Sequence, residues 1–364
     1  MSGYLPEEVM QEILLRLPTR TLLKCTSVCK SWYSLIKSRA FIADHRDRSI
    51  FLAKHDPVYL LRTFSREGKR KEIARHTLAF IIWNPLIKKY SYVEPRIHGP
   101  TYSFIGFGYD HLRDDYKLMR MANFIGLDAC EKDIPRVELY LLNEGSWRSI
   151  AHEAERYMSF EILSPAFVNG VLHWTAFEIR DQDGGEESSD TYNFVLGFDM
   201  IDEAFCKILL PSSLVNLMPV FLSVLAYKES SIALCQTSFN SELIHVWVMK
   251  EYGVVESWIM ISLIITPQVE DIPRALTFRK EGLLLELNHG WIFSWDPSRQ
   301  LLGDLALWGE PMKTFVGSYV ESLVLLDRAN ATSYGNDSNA QEASEAASEL
   351  SRISQLSKRR RFPI

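Results

Sequence analysis

The fold is decided by a strand pattern that is clearest at residues 165–174, where the chain reads Pro-Ala-Phe-Val-Asn-Gly-Val-Leu-His-Trp. Two β-prone runs flank Asn169 and Gly170, the pair that a type I′ hairpin turn favours. Two more strand-like runs follow at residues 194–199 and 203–211. The segment therefore predicts a four-stranded antiparallel sheet.

Four-strand blocks of this kind recur along the chain. In the block at residues 274–306, a Trp-Asp-Pro turn at residues 295–297 follows the third strand. In the block at residues 164–211, Phe-Asp at residues 198–199 occupies the same place. In a second type of block, Trp147 and Trp258 take equivalent positions. Repeated four-strand units are the sequence sign of a β-propeller. Four complete blades are predicted, at residues 101–150, 164–211, 221–262 and 274–306.

The remaining strand-like runs do not make complete blades. Residues 78–93, which contain a third copy of the turn after Trp83, supply only the second half of one. Short runs from both ends of the domain are expected to combine into one closing blade, and they are residues 50–53, 58–61, 315–319 and 321–326. We therefore expect about six blade positions, the first of them incomplete.

The N-terminal 45 residues follow a helical pattern instead. Apolar residues from Met10 to Leu17 are spaced i, i+3, i+4, i+7, which is one stripe of an amphipathic helix. A second apolar set, from Leu22 to Ile36, has similar spacing. Three short helices cannot bury all this surface by themselves. Two interpretations stay open: a helical subdomain packed on the rest of the chain, or an apolar patch for a partner.

The residues of this N-terminal motif resemble the F-box, the module that docks F-box proteins onto a Skp-type adaptor. The matching anchors run from the Leu-Pro pair at residues 5–6 to Val-Cys-Lys-Ser-Trp at residues 28–32. The resemblance assigns the adaptor contacts to Leu5, Pro6, Ile13, Leu14, Leu17, Pro18, Leu22, Val28, Cys29 and Trp32. For Trp32, a place in the module's own core is an equal alternative.

The order of motifs in residues 80–326 resembles the plant F-box-associated, kelch-like domain. It starts with Trp-Asn-Pro at residues 83–85 and continues through Phe-Val-Asn-Gly at residues 167–170. The terminal stretch 318–327, Ser-Tyr-Val-Glu-Ser-Leu-Val-Leu-Leu-Asp, is most similar to the S-locus F-box and S-locus F-box-like proteins of rose-family plants. We therefore expect an α+β multi-domain chain, with a three-helix F-box at residues 1–46, an all-β propeller at 50–327 and a disordered tail at 328–364.

The chain departs from this family before the Trp-Asn-Pro turn, where the family usually has a strand hairpin. Here the basic stretch at residues 66–71 runs almost directly into residues 79–83. Two lost strands would remove core area and expose a sheet edge. We therefore expect a less stable propeller near residues 62–95.

Charge is distributed unevenly along the chain. The formal net charge of −6 divides into +7 for residues 1–75, −14 for residues 76–326 and +1 for residues 327–364. The acidic body suits a basic protein partner, and the overall balance gives no reason to expect nucleic-acid binding. Five cysteines without a Cys-x-x-Cys pair fit a reducing compartment. No apolar run reaches the roughly 18–20 residues that cross a membrane. The expected location is the cytoplasm, with the basic run at residues 358–361 read either as a nuclear signal or as chance.

No catalytic motif stands out in the sequence. The nine histidines lack metal-ligand spacing, and Gly-x-Ser-x-Gly is absent. His173 and Trp174, which adjoin in a predicted strand, are interpreted as a packed pair. We therefore expect a non-catalytic protein with no metal and no cofactor.

The family resemblance implies a substrate-recognition subunit of a Skp–cullin–F-box ubiquitin ligase. The F-box would dock the Skp-type adaptor and, through it, the cullin, while the propeller would bind a protein target for ubiquitination and degradation. The narrower S-locus resemblance implies action in pollen, on style ribonucleases in self-incompatibility. Two alternatives stay open: an adaptor-binding scaffold without ligase output, and a propeller enzyme such as a glycosidase.

Overall fold

The computed structural model describes most of the chain, in two compact units. The described residues are 6–53, 58–62, 80–97, 101–124, 135–150, 165–180, 190–218, 221–228, 230–237, 243–265, 273–279, 282–287, 290–308, 315–328 and 331–333. The first unit contains those before residue 96 and after residue 315, and the second unit contains those between. The predictions for Leu5, for the basic stretch 66–71 and for the tail beyond residue 333 lie outside the described residues.

The first unit starts with four helices, α1 (Glu7–Leu15), α2 (Thr19–Cys25), α3 (Lys30–Ile36) and α4 (Arg39–Ala53). Pro6 and Pro18 stand directly before α1 and α2, where a missing N–H costs no helical hydrogen bond. Glu7 and Glu8 lie in the first turn of α1, and carboxylates there interact favourably with the helix dipole. The helix boundaries near Pro6 and Pro18 therefore agree with the sequence pattern.

Helix α4 shows that the expectation of three helices, and of a strand at residues 50–53, was wrong. Its buried positions are Phe41, Ile42, His45 and Arg46, the spacing of one helix face. Because two of these residues are polar, the face does not stand out as an apolar stripe in the sequence. Ile50 continues the same face and is half-buried. The apolar end of the helix therefore resembles a short strand when it is taken alone.

The described residues also contain a four-residue helix, α5 (Ser212–Val215), one 3-10 turn at Val255–Ser257, and strands. In chain order the strands are β1 (Val58–Arg62), β2 (Phe80–Asn84), β3 (Lys89–Val93), β4 (Thr101–Asp110), β5 (Asp115–Phe124), β6 (Arg136–Leu141), β7 (Ser146–Ile150), β8 (Ala166–Val168), β9 (Val171–Arg180), β10 (Asp190–Asp199), β11 (Phe205–Leu209), β12 (Leu222–Tyr227), β13 (Ser231–Gln236), β14 (Leu243–Met249), β15 (Trp258–Ile265), β16 (Arg274–Arg279), β17 (Gly282–Leu287), β18 (Trp291–Asp296), β19 (Leu301–Trp308), β20 (Phe315–Tyr319) and β21 (Thr332–Ser333).

The second unit consists of four antiparallel sheets of four strands each, β4–β7, β8–β11, β12–β15 and β16–β19. Strands that are consecutive in sequence are neighbours in each sheet, which is the strand order of propeller blades. The hairpin between β8 and β9 turns at Asn169 and Gly170, both at positive φ, as a type I′ turn requires. The four complete blades predicted from the sequence are therefore confirmed.

Neighbouring blades in this unit are joined by apolar cores between their facing sheets. Met121 and Leu139 of the β4–β7 blade pack in one core with Trp174 of the β8–β11 blade. Equivalent cores join the second blade to the third and the third to the fourth. At Gly108 the backbone approaches the next blade closely, because an added Cβ would lie 2.7 Å from the ring of Phe167. Glycine, which has no Cβ, leaves room there for the two blades to pack closely.

The first unit contains two smaller sheets. β3 lies between β2 and β21 in a three-stranded sheet, and β1 pairs with β20. Of the predicted closing blade, only the pairing of β1 with β20 is present, because residues 50–53 belong to α4 and residues 321–326 form no strand. The described residues therefore form five blades, four of four strands and one of three, rather than about six.

Residues 321–326 resemble a strand in sequence for a specific reason. Leu323 and Leu325 are both buried, so alternate side chains point inwards as they would in a strand. The backbone turns at Leu325, whose φ of 78° lies outside the extended region. Beyond this turn, β21 pairs with β3, with Thr332 opposite Tyr90. β21 lies within the range that the sequence predicted as a disordered tail.

Candidate functional site

The helical region, residues 6–53, presents exposed apolar side chains. Val9 and Ile13 lie one turn apart on α1, and Ile13 is 47% exposed. Val28, which precedes α3, is 63% exposed. Three more of the predicted contact residues are also exposed, namely Pro6, Pro18 and Cys29. Exposed apolar groups concentrated on a small helical region are typical of a protein-binding surface.

Leu14 and Leu22, also predicted as adaptor contacts, lie inside the helical region. They are 1% and 0% exposed, and they form a core with Ile36 and Leu323. Leu17 is half-buried at the edge of this core. In this structure the side chains of Leu14 and Leu22 support the surface from beneath and are not accessible to a partner.

Trp32 is intermediate between the exposed residues and the buried core residues. Its half-buried ring packs against the same core, and its Nε1 donates a hydrogen bond to the Met10 sulfur at 2.6 Å. Of the two roles considered for Trp32, these contacts fit a place in the core of the helical region. Part of the ring remains at the surface.

Three large apolar or aromatic side chains of this region, Val9, Tyr33 and Phe51, are exposed and were not among the predicted contacts. Val9 precedes Ile13 by one helical turn, so helical spacing alone could have identified it. Tyr33 is 48% exposed, and Lys37 Nζ donates to its hydroxyl at 2.9 Å. This hydrogen bond and the charge of Lys37 lower the pKa of Tyr33. A tyrosine has no periodic signal of its own, so the sequence did not distinguish it.

The second unit contains a buried ionic cluster between its first two blades. Lys117 Nζ lies 2.6 Å from Asp110 Oδ2 and 2.8 Å from Glu203 Oε1. Arg113 pairs with Asp110, and Arg148 pairs with Glu203. Burial raises the pKa of Asp110, but hydrogen bonds from Lys117 and Arg113 outweigh it and hold the pKa well below its usual range. Both carboxylates are therefore paired with cations, and the Lys117–Glu203 pair links the two blades.

His173 is buried between the second and third blades. Its Nδ1 lies 3.0 Å from the Ala166 carbonyl oxygen, and its Nε2 lies 2.7 Å from the Tyr252 hydroxyl. Burial lowers the pKa of His173 to about 4 and raises the pKa of Tyr252 to about 12. Both groups are therefore neutral at pH 7 and bonded to each other. With Trp174 buried beside it, His173 has the surroundings of a packed residue, as the sequence suggested.

The described residues lack both a cluster of metal-ligating side chains and a membrane-spanning helix. They contain no group of three or more His, Cys, Asp or Glu side chains placed to hold a metal ion. Within the same residues, no helix combines the length and the apolar character needed to cross a membrane.

Comparison with known proteins identifies both regions. A family model for the F-box domain matches residues 4–43, and one for the F-box associated beta propeller domain matches residues 73–288. The F-box protein CPR1 of Arabidopsis thaliana is 25% identical over 412 aligned positions, which cover 98% of this chain and 96% of that protein. The F-box protein At3g10430 of the same species is 29% identical over 242 positions, 57% of this chain and 62% of that protein.

Solved structures show only a distant likeness. A glycosyl hydrolase from Bacteroides ovatus aligns with 71% of this chain and 76% of its own, at 8% identity and a TM-score of 0.31. A likeness this weak carries no argument about enzymatic activity.

Proposed function

Because the chain belongs to the F-box-associated β-propeller family and contains an F-box at residues 4–43, we propose that it is the substrate receptor of a Skp–cullin–F-box ubiquitin ligase. The F-box binds a Skp-type adaptor and, through it, the cullin, and the propeller binds a protein target. The observation that carries the proposal is the exposed apolar surface at Ile13 and Val28, on a helical region that precedes a series of β-blades. Binding an adaptor there removes this apolar surface from water.

The burial of each residue divides the predicted adaptor contacts into two roles. The direct contacts are assigned to Leu5 and to the exposed or half-buried Pro6, Ile13, Leu17, Pro18, Val28 and Cys29, with Trp32 contributing only the part of its ring that remains at the surface. Leu14 and Leu22 keep these residues in place from within the core. Ile13 is 47% exposed, so burying the remainder contributes about half of the roughly 1.5–3 kcal/mol of a fully buried side chain, which corresponds to about a threefold to tenfold change in affinity.

In this proposal the chain contributes recognition and no catalytic group. Ubiquitin transfer is accelerated because the complex holds the target beside the charged conjugating enzyme, which makes the encounter effectively unimolecular. The chemistry belongs to the other subunits. The contacts of His173 and of the Asp110 cluster agree with a chain that supplies no catalytic group, because their polar groups are engaged in hydrogen bonds and ion pairs within the chain.

Affinity capture from anther or pollen extract, with and without a proteasome inhibitor, tests the receptor function. The wild-type chain is expected to recover an adaptor, a cullin and a target that accumulates when the proteasome is inhibited. The Ile13→Asp, Val28→Asp double variant is expected to recover the target without the adaptor. Recovery of adaptor and cullin without any inhibitor-sensitive target would instead support a scaffold without ligase output.

We further propose that the target is a basic protein of the style-ribonuclease class. Support comes from the likeness of residues 318–327 to S-locus F-box proteins and from the charge of −14 over residues 76–326. Opposite charges raise association rates, and salt screens them. Binding of a purified style ribonuclease is therefore expected to weaken between about 0.05 and about 0.5 M salt, where the screening length shortens to a few ångströms. Binding that does not change with salt would contradict this assignment.

The cytoplasm is the proposed location, with entry into the nucleus directed by the basic run at residues 358–361 as the alternative. A fluorescent fusion of the full chain distinguishes the two. Nuclear signal that disappears when Lys358 and the three following arginines are replaced by alanine would favour the alternative.

A further inference from the structure

A segment near the C-terminal end of the described chain is built into the F-box core. Residues 322–326, called the strap below, contribute Leu323, which is fully buried together with Leu14 and Leu22 of the helices. Val324 and Leu326 pack against the same core. The helices therefore complete their core with residues from the far end of the sequence.

The three-stranded sheet holds the strap through Asn84. The Nδ2 of Asn84 donates hydrogen bonds to the carbonyl oxygens of Ser322 and Val324, both at 2.9 Å. Its Oδ1 accepts the backbone N–H of Leu86 at 3.2 Å, which fixes the turn between β2 and β3. Asn84 is 5% exposed. Its amide is therefore committed to the turn on one side and to the strap on the other.

Lys89 of β3 adds a second attachment at the end of the strap. Its Nζ lies 3.4 Å from the Leu326 carbonyl oxygen and 3.2 Å from that of Arg328. Burial lowers the pKa of Lys89, because its ammonium group is partly removed from water where it meets these carbonyls. Asn84 and Lys89 together bind four backbone carbonyls of residues 322–328 to one sheet, three of them in the strap and the fourth at Arg328 just beyond it. The same segment inserts Leu323 into the F-box core, so the strap contacts both the F-box helices and the β2-β3-β21 sheet.

We propose that the strap sets the orientation of the F-box on the β2-β3-β21 sheet, with Asn84 and Lys89 as positioning residues, and thereby determines which lysines the conjugating enzyme reaches. The inference rests on the receptor function proposed above. Transfer that depends on proximity is sensitive to orientation. An F-box held in one orientation confines transfer to few lysines, and a loosened F-box spreads it over more.

Variants at Asn84 and Lys89 separate this role from ordinary stability. Asn84→Asp keeps the acceptor for the Leu86 N–H but turns a carboxylate oxygen towards two carbonyl oxygens. Lys89→Met removes the second attachment without adding charge. Asn193 of the second unit supplies a matched control, because its Nδ2 also donates to two carbonyls, those of Leu214 and Leu217, at 3.1 and 2.7 Å. Asn193→Asp loses the same kind of bonds away from the F-box.

Two measurements on the full chain test the proposal. The first is the distribution of distances between dyes at the exposed positions Asp44 of α4 and Tyr92 of β3, attached through unnatural amino acids. The second is the set of ubiquitinated lysines on the receptor itself, mapped by mass spectrometry in a complex reconstituted with adaptor, cullin, RING subunit and conjugating enzyme. Asn84→Asp and Lys89→Met are expected to broaden the distances and add new modified lysines, and Asn193→Asp is expected to do neither.

The outcomes separate the two proposals. Distances and modified lysines that match the wild type in both Asn84→Asp and Lys89→Met would overturn the role of the strap. Failure of the wild-type chain to bind an adaptor would overturn the receptor function instead. In that case the distance measurement still tests whether the strap orients the F-box.

Discussion

His173 and Tyr252 join two neighbouring blades through a hydrogen bond of 2.7 Å between Nε2 and the hydroxyl oxygen. A carbonyl oxygen can only accept a hydrogen bond, so Nδ1 of His173 donates to Ala166. In the neutral ring Nε2 must then accept the hydrogen of the Tyr252 hydroxyl. Protonation of His173 would turn this acceptor into a donor and would place a charge in a buried site.

We therefore predict that stability falls as the pH drops from about 6.5 to about 4. The folded pKa of His173 is about 4, below the unfolded value of about 6.5, so the unfolded state binds the proton first. The contribution of neutral His173 to the free energy of unfolding is complete above about pH 6.5. By pH 4 this contribution has fallen by on the order of 3 kcal/mol. Urea unfolding between pH 4 and pH 7 measures it. His173→Gln should show a correspondingly smaller pH dependence, whereas the exposed His111→Gln should match the wild type.

Lys117→Met is expected to destabilise the second unit strongly. Lys117 and Asp110 are both fully buried, and removing the ammonium leaves two carboxylates without their central cation. Breaking a buried pair in this way costs about 3–5 kcal/mol. Lys207→Met is the control, because its pair with Glu178 is partly exposed and such pairs contribute about 1 kcal/mol or less. Equal losses of unfolding free energy in the two variants would refute the role of Lys117.

Gly108→Ala is expected to disturb the packing of the first two full blades. The new Cβ would lie 2.7 Å from Phe167 and 2.9 Å from Met200, so these side chains, or the sheet that carries them, would have to shift. Overpacking of this kind costs about 1–3 kcal/mol. Gly303→Ala adds the same atom where the nearest neighbour is 3.8 Å away, so thermal unfolding should be nearly unchanged. A melting temperature of Gly108→Ala equal to that of Gly303→Ala would contradict this prediction.

The three-stranded sheet of the first unit is expected to be less stable than the four-stranded blades. Its third strand, β21, contributes only Thr332 and Ser333, so less of the sheet is paired and buried. Amide hydrogens of β2 and β3 should therefore exchange faster than those of β9 and β10. Equal protection of the two sheets would contradict this prediction.

Local signals in the sequence were sufficient for the blades. The turn at Asn169 and Gly170 and the alternating strands beside it depend on neighbouring residues, so the four full blades could be predicted. The strap could not be predicted, because Leu323 and Leu325 alternate as in a strand and the helix residues that pack with Leu323 lie at the other end of the chain. Long-range packing overrides a local pattern in such cases.

At the candidate site too, local sequence patterns do not reveal which individual residues are buried by long-range packing. Ile13 and Leu14 are adjacent and similarly apolar, yet one is 47% exposed and the other 1%. Periodicity places both near the apolar stripe of α1 but cannot tell which residue faces the core and which is left for a partner. That distinction depends on where α4 and the strap pack against α1, which no local pattern reveals.

The most direct test of the central claim is the affinity of the purified full chain for a Skp-type adaptor. We predict a saturable complex with the wild type, and affinity reduced about tenfold or more by Ile13→Asp or by Val28→Asp, since each buries a charge in an apolar contact. Leu301→Asp, at an equally exposed position on β19, should bind as the wild type does. No complex with the wild type, or equal affinity for Ile13→Asp and the wild type, would contradict the account.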